Sequence, residues 1–429
     1  MTLPSPPHDC TACGQQAGAR PAAFRPLTYN PRVPPTSDAD RGSGDPVVNR
    51  ERIVADRCPG VLRLIEAADG YLARVRLPGG FITAGQLRTL ATLAGELGDG
   101  RIELTSRGNI QVRALAGDAA ARLTGVLTAA GLLPSLDHDR VRNVLASPLA
   151  GLDDGPDLAP FVAALDAGLC ARPRLASLPG RFLFAIDDGR GDVASPDADV
   201  TAVIRGGTAS VNGLAVGPDE TVRPDATAGP DDVAAVMLAF AGAFLDERTA
   251  RGSAAWRIAD LPGGKEHVQA VVAARLGLPT ATESADMTPA VRPVGITGNH
   301  AVLLAPLGRL TVDQVRWVAD QVTRRPVRVT PWRSVVLPDQ ADPAAVLSRA
   351  AILGFGVDEA SPWLRVTACA GQPRCASALA DVQADAAGFA ARWLNRIVHV
   401  SGCARHCGRP ASTDIDVTAT SEGYQVDGV

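Results

Sequence analysis

Four of the eight cysteines stand in two close pairs near the C-terminus. Cys369 and Cys375 bound the stretch "CAGQPRC", and Cys403 and Cys407 bound "CARHC". Four thiolates can bind a [4Fe-4S] cluster or a zinc ion. The first pair is separated by five residues, which exceeds the spacing of about two to four between paired zinc ligands. The interleaved glycines and prolines break regular structure and leave backbone N–H groups for cluster sulfides. The pattern favours a cluster, with zinc or unligated cysteines as alternatives.

The other four cysteines carry weaker signals. Cys10 and Cys13 form a CxxC in a stretch rich in proline and glycine, with one histidine nearby. We interpret them as free thiols, because too few further ligands surround them to complete a metal site. Cys58 and Cys170 stand alone, and we expect them to pack as small apolar residues.

Composition limits the class of protein. The 429 residues are 46% hydrophobic and 21% charged, as in a globular protein of more than one domain. No run of about 18 uncharged apolar residues occurs, so no membrane span is expected. The net charge of −4 gives no reason to expect a nucleic acid or an anionic membrane as partner. The N-terminal segment lacks the pattern of a secretory signal, which predicts a cytoplasmic protein without structural disulfides.

An internal repeat organises the chain. The stretch "LPGGFITAGQLRTLA" from Leu77 aligns with "APLGRLTVDQVRWVA" from Ala305. Both copies are flanked by the same order of predicted strands and helices. Each copy therefore predicts a small ferredoxin-like unit, and together they predict a pseudo-twofold α+β protein with two α/β lobes inserted after the units.

These signals divide the chain into five expected parts. They are a disordered tail (1–50), a first ferredoxin-like half-domain (51–135), a first α/β lobe (136–289), a second half-domain (290–358) and a second lobe with the cysteines (359–429).

A polar strand face follows the first repeat. On an extended strand, residues two apart share a side, so one side carries Arg107, Asn109, Gln111 and Arg113 while Ile110 and Val112 face the other. Two guanidinium groups on one face suit a polycarboxylate ligand, because arginine makes bidentate hydrogen bonds to carboxylates. A solvated outer face of the sheet is the alternative. Arg333, in "TPWRS", occupies the corresponding turn of the second copy.

The cysteine spacing, downstream of a duplicated ferredoxin-like unit, resembles the sirohaem nitrite and sulfite reductase family. The resemblance implies that Cys369, Cys375, Cys403 and Cys407 bind a [4Fe-4S] cluster. It also implies that the anion-binding cations of the reductases correspond to Arg107, Arg142 and Arg181. The next expected lysine falls on Leu183. Losing one of four cations weakens charge stabilisation of a small oxyanion, which speaks against simple nitrite or sulfite reduction.

Within that superfamily the chain is more similar to the precorrin-3B synthases, on the stretches "DRCPG", "ARVRLPGG", "RVTPWRS" and "VHVSGCARHCGRP". This resemblance implies precorrin-3A as a tetrapyrrole substrate, bound by the first lobe (136–289), and O2 as co-substrate. It implies that the reaction is hydroxylation at C20 with γ-lactone formation, in aerobic cobalamin biosynthesis. It implies a non-haem iron, whose position the sequence does not show, and NAD(P)H as the source of electrons. Since no G-x-G-x-x-G follows a predicted strand, we expect an external electron donor. The alternatives are a nitrite or sulfite reductase that carries sirohaem, and a tetrapyrrole carrier without turnover.

Overall fold

The computed structural model describes residues 58–194, 198–217, 228–281, 293–393 and 395–428. The predicted tail, with Cys10 and Cys13, lies outside the described residues. The strands are β1 Ile65–Ala67, β2 Gly70–Val75, β3 Phe81–Ile82, β4 Arg101–Leu104, β5 Ile110–Leu115, β6 Val144–Ala146, β7 Phe184–Asp187, β8 Val200–Arg205, β9 Thr208–Val211, β10 Leu214–Val216, β11 Gly295–Thr297, β12 His300–Leu304, β13 Arg309–Thr311, β14 Val327–Val329, β15 Ser334–Leu337, β16 Val366–Ala368, β17 Val398–Ser401, β18 Ile415–Thr420 and β19 Gly423–Asp427. The helices are α1 Ala84–Leu97, α2 Ala119–Ala129, α3 Ala159–Cys170, α4 Pro230–Ala250, α5 Gly264–Leu276, α6 Val312–Asp320, α7 Pro343–Ile352 and α8 Val382–Arg392.

The two repeats form two sheets that exchange strands. Sheet 1 has the order β1-β2-β5-β4-β13, and sheet 2 has the order β11-β12-β15-β14-β3. Strand β13 of the second copy thus completes the first sheet, where Arg309 is the register partner of Glu103. Strand β3 of the first copy completes the second sheet, where Phe81 is the register partner of Arg328. This reciprocal exchange confirms the predicted duplication and its pseudo-twofold arrangement.

Helices α1 and α6 begin in the same way because their sequences supply the same cap. The Thr83 hydroxyl accepts a hydrogen bond from the backbone N–H of Gln86, and the side-chain oxygen of Gln86 accepts one from the backbone N–H of Thr83. Thr311 and Gln314 form the identical capping box at α6. The apolar sides of both helices join one core with sheets 1 and 2. Local caps and a shared core therefore hold the two copies together.

The backbones of the two copies approach each other closely at two glycines. A Cβ on Gly80, at φ +73°, would lie 2.1 Å from the carbonyl oxygen of Val329 in the second copy. A Cβ on Gly308, at φ +77°, would lie 3.0 Å from the carbonyl oxygen of Leu104 in the first copy. Glycine is required at Gly80 because the conformation is left-handed and no side chain fits.

Each copy is followed by a lobe with its own sheet. In the first lobe the order is β10-β9-β8-β7-β6, covered by α3, α4 and α5. Its core includes Phe182, which stacks against Phe184 and Phe244 with ring centroids 5.1 and 5.2 Å away. In the second lobe the order is β16-β17-β18-β19, with α8 packed on β16 and β17. The mixture of parallel and antiparallel strands with covering helices confirms the predicted α+β class. None of the helices in the described segments is long and apolar enough to cross a membrane.

Candidate functional site

The four paired cysteines come together at one end of the second lobe. Strands β16 and β17 are parallel neighbours, so their carboxyl ends meet at the same edge of the sheet. Cys369 directly follows β16, and Cys403 follows β17 by two residues. The backbone N–H of Gly402 donates to the Sγ atom of Cys369 at 3.1 Å, which joins the two loops directly.

The thiols act on one another electrostatically. Burial raises the pKa of the Cys407 thiol, and Cys369, Cys403 and Cys375 raise it further. Four neighbouring thiolates repel one another, so binding them all deprotonated requires a compensating metal charge. Cys407 is exposed and the other three are half-buried. The donor set is therefore the all-thiolate set that iron–sulfur clusters and zinc share.

The spacing of the cysteine sulfur atoms can be compared with that around a tetrahedral zinc ion. Within the described ranges, the only group of three or more ligand atoms from His, Cys, Asp or Glu that lie within 4.8 Å of one another comprises Asp187, Asp188 and Asp192. No three of the cysteine sulfurs are that close. Around a tetrahedral zinc ion, Zn–S bonds of about 2.3 Å place the sulfurs about 4 Å apart. As they stand, the described cysteine sulfurs do not form the closely spaced set of a tetrahedral zinc site.

Unsatisfied polar atoms lie on the strands that carry the cysteines. His399 Nε2 and Ser401 Oγ on β17 and Thr418 Oγ1 on β18 are buried without a hydrogen-bond partner among the described residues. His399 Nδ1 lies 2.8 Å from Thr367 Oγ1. Burial lowers the pKa of His399 to about 4, so this imidazole is neutral at pH 7. Because buried polar atoms are normally paired, these three are what a bound group or ordered water beside the cysteines would satisfy.

A cluster of arginines lies beside the first copy. Arg107 sits in the turn between β4 and β5, where its Nη1 donates to the Gly180 carbonyl at 3.4 Å. Burial lowers its pKa, and the charges of Arg257 and Arg181 lower it further. Arg107 in turn lowers the pKa values of Arg74 and Arg76, in addition to their own burial. We call these five residues the arginine cluster: Arg74, Arg76, Arg107, Arg181 and Arg257. Like charges held together in this way favour an anionic ligand.

Three members of this cluster were missed in the sequence. The stretch "ARVRLPGG" contained the signal for Arg74 and Arg76, which are two apart on β2 and its extension and so share a side. Arg257 had no comparable signal, because only the fold brings it to Arg107. Its Nε donates to Asp199 at 2.7 Å, and the neighbouring Trp256 ring lies 4.6 Å below the guanidinium of Arg181.

Cys58 also lies beside the arginine cluster. A negative charge at this position raises the pKa values of Arg74, Arg76 and Arg107. Cys58 is half-buried, and the expectation that it packs as a small apolar residue stays a prediction. The adjoining turn is fixed by a hydrogen bond from Arg76 to the Pro59 carbonyl at 3.2 Å.

The predicted polar strand face exists only in part: Gln111 and Arg113 lie on β5, whereas Arg107 and Asn109 lie in the turn before it, where Gly108 is left-handed, and protein contacts use most of the face. Ile110 and Val112 are fully buried on the opposite side, as the alternation required. Asn109 accepts a hydrogen bond from the Leu77 backbone at 2.9 Å, and Gln111 donates to Glu103 at 3.2 Å. The guanidinium of Arg113 binds both carboxylate oxygens of Asp69, at 2.9 and 3.1 Å. A role of Asn109, Gln111 and Arg113 in substrate binding stays a prediction, and it would require these contacts to change.

The same face contacts the cysteine loop. Arg113 Nη2 donates to the carbonyl of Arg374 at 3.4 Å, and Arg374 lies 3.6 Å from the carboxylate of Glu103. Arg374 stands between Cys369 and Cys375 in the chain. Sheet 1 therefore carries Arg74 of the arginine cluster on β2 and, through Arg113 and Glu103, the contact to the loop between Cys369 and Cys375.

Arg142 is held apart from the arginine cluster by a carboxylate. Its Nε donates to Oδ1 of Asp166 and its Nη2 donates to Oδ2, both at 2.7 Å. Its Nη1 donates to the Leu132 carbonyl at 3.1 Å. The Arg142 side chain is only 4% exposed. Its predicted contact with substrate stays a prediction that would require Arg142 to leave Asp166. Leu183, where a reductase lysine was expected, is a buried core residue packed with Leu145 and Ala185.

The structure sharpens the correspondence between the two turns. Thr105 Oγ1 accepts from the backbone of Arg107 and Asn109, and Thr330 Oγ1 accepts from the backbone of Trp332 and Ser334. Trp332 is thus the counterpart of Arg107. Arg333 is the counterpart of Gly108, and both have left-handed backbones with φ values of +62° and +64°.

Burial lowers the pKa of Arg333, and Glu103 partly offsets this effect. The charge of Arg333 in turn lowers the pKa of His399. Arg333 therefore lies close enough to His399 of the second lobe to act on it electrostatically, and its predicted role in substrate binding stays a prediction.

The acidic triad in the first lobe is occupied by protein donors. Asp187 accepts hydrogen bonds from four backbone N–H groups at 2.8–3.1 Å, and Asp188 lies 2.7 Å from Arg190. Ser147 donates to Asp192 at 2.6 Å. This triad organises a loop, and we assign it no metal.

Comparison with known proteins supports the superfamily. Residues 65–130 match the nitrite/sulfite reductase ferredoxin-like half domain. A precorrin-3B synthase from Sinorhizobium sp is 27% identical over 403 residues, covering 86% of this chain and 81% of that protein. A ferredoxin–nitrite reductase from Synechococcus elongatus is also 27% identical over 403 residues, covering 84% and 78%. The structure of Mycobacterium tuberculosis NirA superposes with a TM-score of 0.63 at 21% identity, covering 83% of this chain and 74% of that one. These similarities confirm the predicted resemblance and fold, and they are equal for the synthase and the reductase.

Proposed function

We propose that this protein, which has the fold and the ferredoxin-like half domain of the nitrite and sulfite reductases, is a precorrin-3B synthase. In the proposed reaction one atom of O2 enters precorrin-3A as a hydroxyl group at C20, and an acetate side chain closes a γ-lactone. The other oxygen atom leaves as water, with two electrons and one proton drawn from NAD(P)H through an external donor and the second proton taken from the solvent. The single observation that carries the proposal is the make-up of the arginine cluster.

A small oxyanion needs cations that converge on one point, whereas a tetrapyrrole with many acid side chains needs cations spread over a wide surface. Of the four positions at which a reductase is expected to bind its anion, Leu183 is apolar and buried, and Arg142 is neutralised by Asp166. Arg107 and Arg181 remain, and Arg74 and Arg76 add positive charge beside Arg107, whereas Arg257 is paired with Asp199. This distribution favours a large polycarboxylate over nitrite or sulfite.

The residues of this chain have separate tasks in the proposed reaction. The arginine cluster binds the acid side chains and fixes the orientation of the ring. Asp199 holds Arg257 in place, and Trp256 does the same for Arg181. Cys369, Cys375, Cys403 and Cys407 would hold a [4Fe-4S] cluster, which when bound supplies single-electron transfer. A non-haem iron is part of the proposal, without ligands that we can name.

The contact of Arg374 with Arg113 and Glu103 closes the seam between the cysteine lobe and sheet 1. This closure limits the access of water to the site. Dry surroundings strengthen the hydrogen bonds between guanidinium groups and carboxylates.

The first test is the cofactor content of anaerobically purified protein. An absorption spectrum, acid-acetone extraction and iron and sulfide analysis should show a cluster and no sirohaem. Oxygen uptake should then depend on precorrin-3A and a reduced donor, with one O2 consumed per product. Sirohaem in the extract together with turnover of nitrite or sulfite by a reduced dye would refute the synthase and establish a reductase. Tetrapyrrole binding without oxygen uptake would establish a carrier.

A further inference from the structure

A cavity of about 220 Å³ lies between the turn that follows β2 and helix α3. Its polar lining consists of Arg76, Gln86, Arg142 and Asp166, and its apolar walls include Phe81 and Val162. The cavity lies in the first copy and the first lobe, away from the paired cysteines. No role has been assigned to it in the proposed reaction.

Arg76 supplies an unsatisfied positive charge to this cavity. It is only 2% exposed, and its Nε and Nη2 donate to the carbonyls of Arg140 and Pro59 at 3.2–3.3 Å. Its Nη1 is buried and has no hydrogen-bond partner among the residues described. Burial and the nearby Arg74 lower its pKa to about 9. Asp139, which partly offsets this effect, already binds two backbone N–H groups through one oxygen.

The other charges in the cavity compensate each other. Arg142 and Asp166 form a bidentate pair at 2.7 Å, so together they contribute no net charge. Arg76 leaves the cavity with one excess positive charge. A single monoanionic group balances it, and the apolar walls accommodate a short hydrocarbon chain attached to that group.

The second copy has no arginine at the position that corresponds to Arg76. Gly80 donates to the Leu77 carbonyl and Gly308 to the Ala305 carbonyl, both at 2.8 Å, so the residues preceding these carbonyls also correspond. Leu304 therefore occupies the position of Arg76. Its backbone exchanges two hydrogen bonds of 2.9 Å with Gly356, so the second copy has an apolar, bridged residue where the first has Arg76.

We propose that this cavity binds one carboxylate group, which pairs with the unsatisfied Nη1 of Arg76 while its aliphatic chain contacts Phe81 and Val162. The carboxylate belongs either to a free small aliphatic acid or to an acid side chain of a tetrapyrrole held by the adjacent arginine cluster. The site stands on the cavity and on Arg76, and it does not depend on the proposed reaction.

The test is a calorimetric titration of the holoprotein with propionate, with propionamide as the uncharged control of the same size. Propionate should bind and propionamide should not. Arg76→Leu, which copies the second repeat, should weaken propionate binding at least tenfold, while Arg88→Leu on the exposed face of α1 should leave it unchanged. Since Arg76 also supports the Pro59 turn, a second variant guards against misfolding. Ala163→Phe adds bulk from the exposed rim of the cavity and should weaken binding equally.

Uroporphyrin III, a stable tetrapyrrole with eight carboxylates, identifies the source of the group. If saturating uroporphyrin abolishes propionate binding, and Ala163→Phe weakens uroporphyrin binding, the carboxylate is a tetrapyrrole side chain. If both ligands bind together, the site serves a free acid. Equal binding of propionamide, or unchanged propionate affinity in both cavity variants, overturns the proposal. Failure of oxygen uptake with precorrin-3A would refute the proposed function and leave these binding results standing.

Discussion

The contact between Gly80 and Val329 predicts how strongly the two copies depend on each other. In Gly80→Ala the new methyl group would lie 2.1 Å from the Val329 carbonyl oxygen, at a residue with φ +73°. Gly100→Ala is a matched control, because Gly100 also has φ +73° but nothing lies within 4 Å of its added Cβ. The two variants share the backbone strain and differ in the contact alone.

The magnitudes follow from these two contributions. A left-handed backbone costs an L-residue about 1–2 kcal/mol, and both variants lose this amount. Forcing a methyl group against a fixed backbone atom costs a further 1–3 kcal/mol, roughly. We expect Gly80→Ala to lower the free energy of unfolding by about 2–5 kcal/mol and Gly100→Ala by about 1–2 kcal/mol.

Gly308→Ala should fall between them. At Gly308 the added Cβ would lie 3.0 Å from the Leu104 carbonyl oxygen and 2.8 Å from Cδ of the flexible Arg333 side chain. Guanidinium unfolding followed by tryptophan fluorescence gives the three midpoints. If Gly80→Ala and Gly100→Ala lose equal stability, the close approach of the two copies does not stabilise the fold, and the reasoning fails.

Three further results are expected. Arg107→Ala should weaken uroporphyrin binding by about 10- to 100-fold, since charge-assisted hydrogen bonds contribute about 1.5–3 kcal/mol, while Arg88→Ala should bind as the parent does in the same fluorescence titration. Cys403→Ser should lose its iron and acid-labile sulfide, whereas Cys170→Ser should retain both by colorimetric analysis; retention of the cluster by Cys403→Ser would contradict the ligand assignment. Burial raises the pKa of Asp192 to about 6 from an ordinary value of 3.8, so the folded state binds the extra proton between these values and loses stability as pH rises through them. Asp192→Asn should therefore be more stable than the parent at pH 7, by up to about 3 kcal/mol, with the difference vanishing near pH 4; equal unfolding midpoints at pH 7 would argue against the shift.

The duplicated fold was predictable because its signals are local. The cap residues Thr83 and Gln86 recur as Thr311 and Gln314, so a pattern of four residues predicts the start of the helix in each copy. The exchange of strands was not predictable. β3 has two residues, which is too short for any alternation of apolar and polar positions to show which sheet it joins.

The candidate site was predictable in part, for similar reasons. Cysteine ligands come as close pairs, so their spacing alone indicated one site. Ion pairs between distant parts of the chain have no sequence pattern that predicts them. The partner of Arg142, for example, is Asp166, which is 24 residues away and is brought near only by the packing of α3. The correspondence of Arg107 with Trp332 could not be predicted either, because it rests on the hydrogen bonds of Thr105 and Thr330 and not on identical residues in the two copies.

The exchange of β3 and β13 bears on the origin of the molecule. A single copy cut from the chain would have an open sheet edge, and associating with a second identical copy as a strand-swapped homodimer would close it. The present chain is the covalent equivalent of such a dimer. The two copies differ within this frame, since Arg76 and Arg107 of the first correspond to Leu304 and Trp332 of the second. These two arginines thus stand on one side of a symmetric frame that requires both copies.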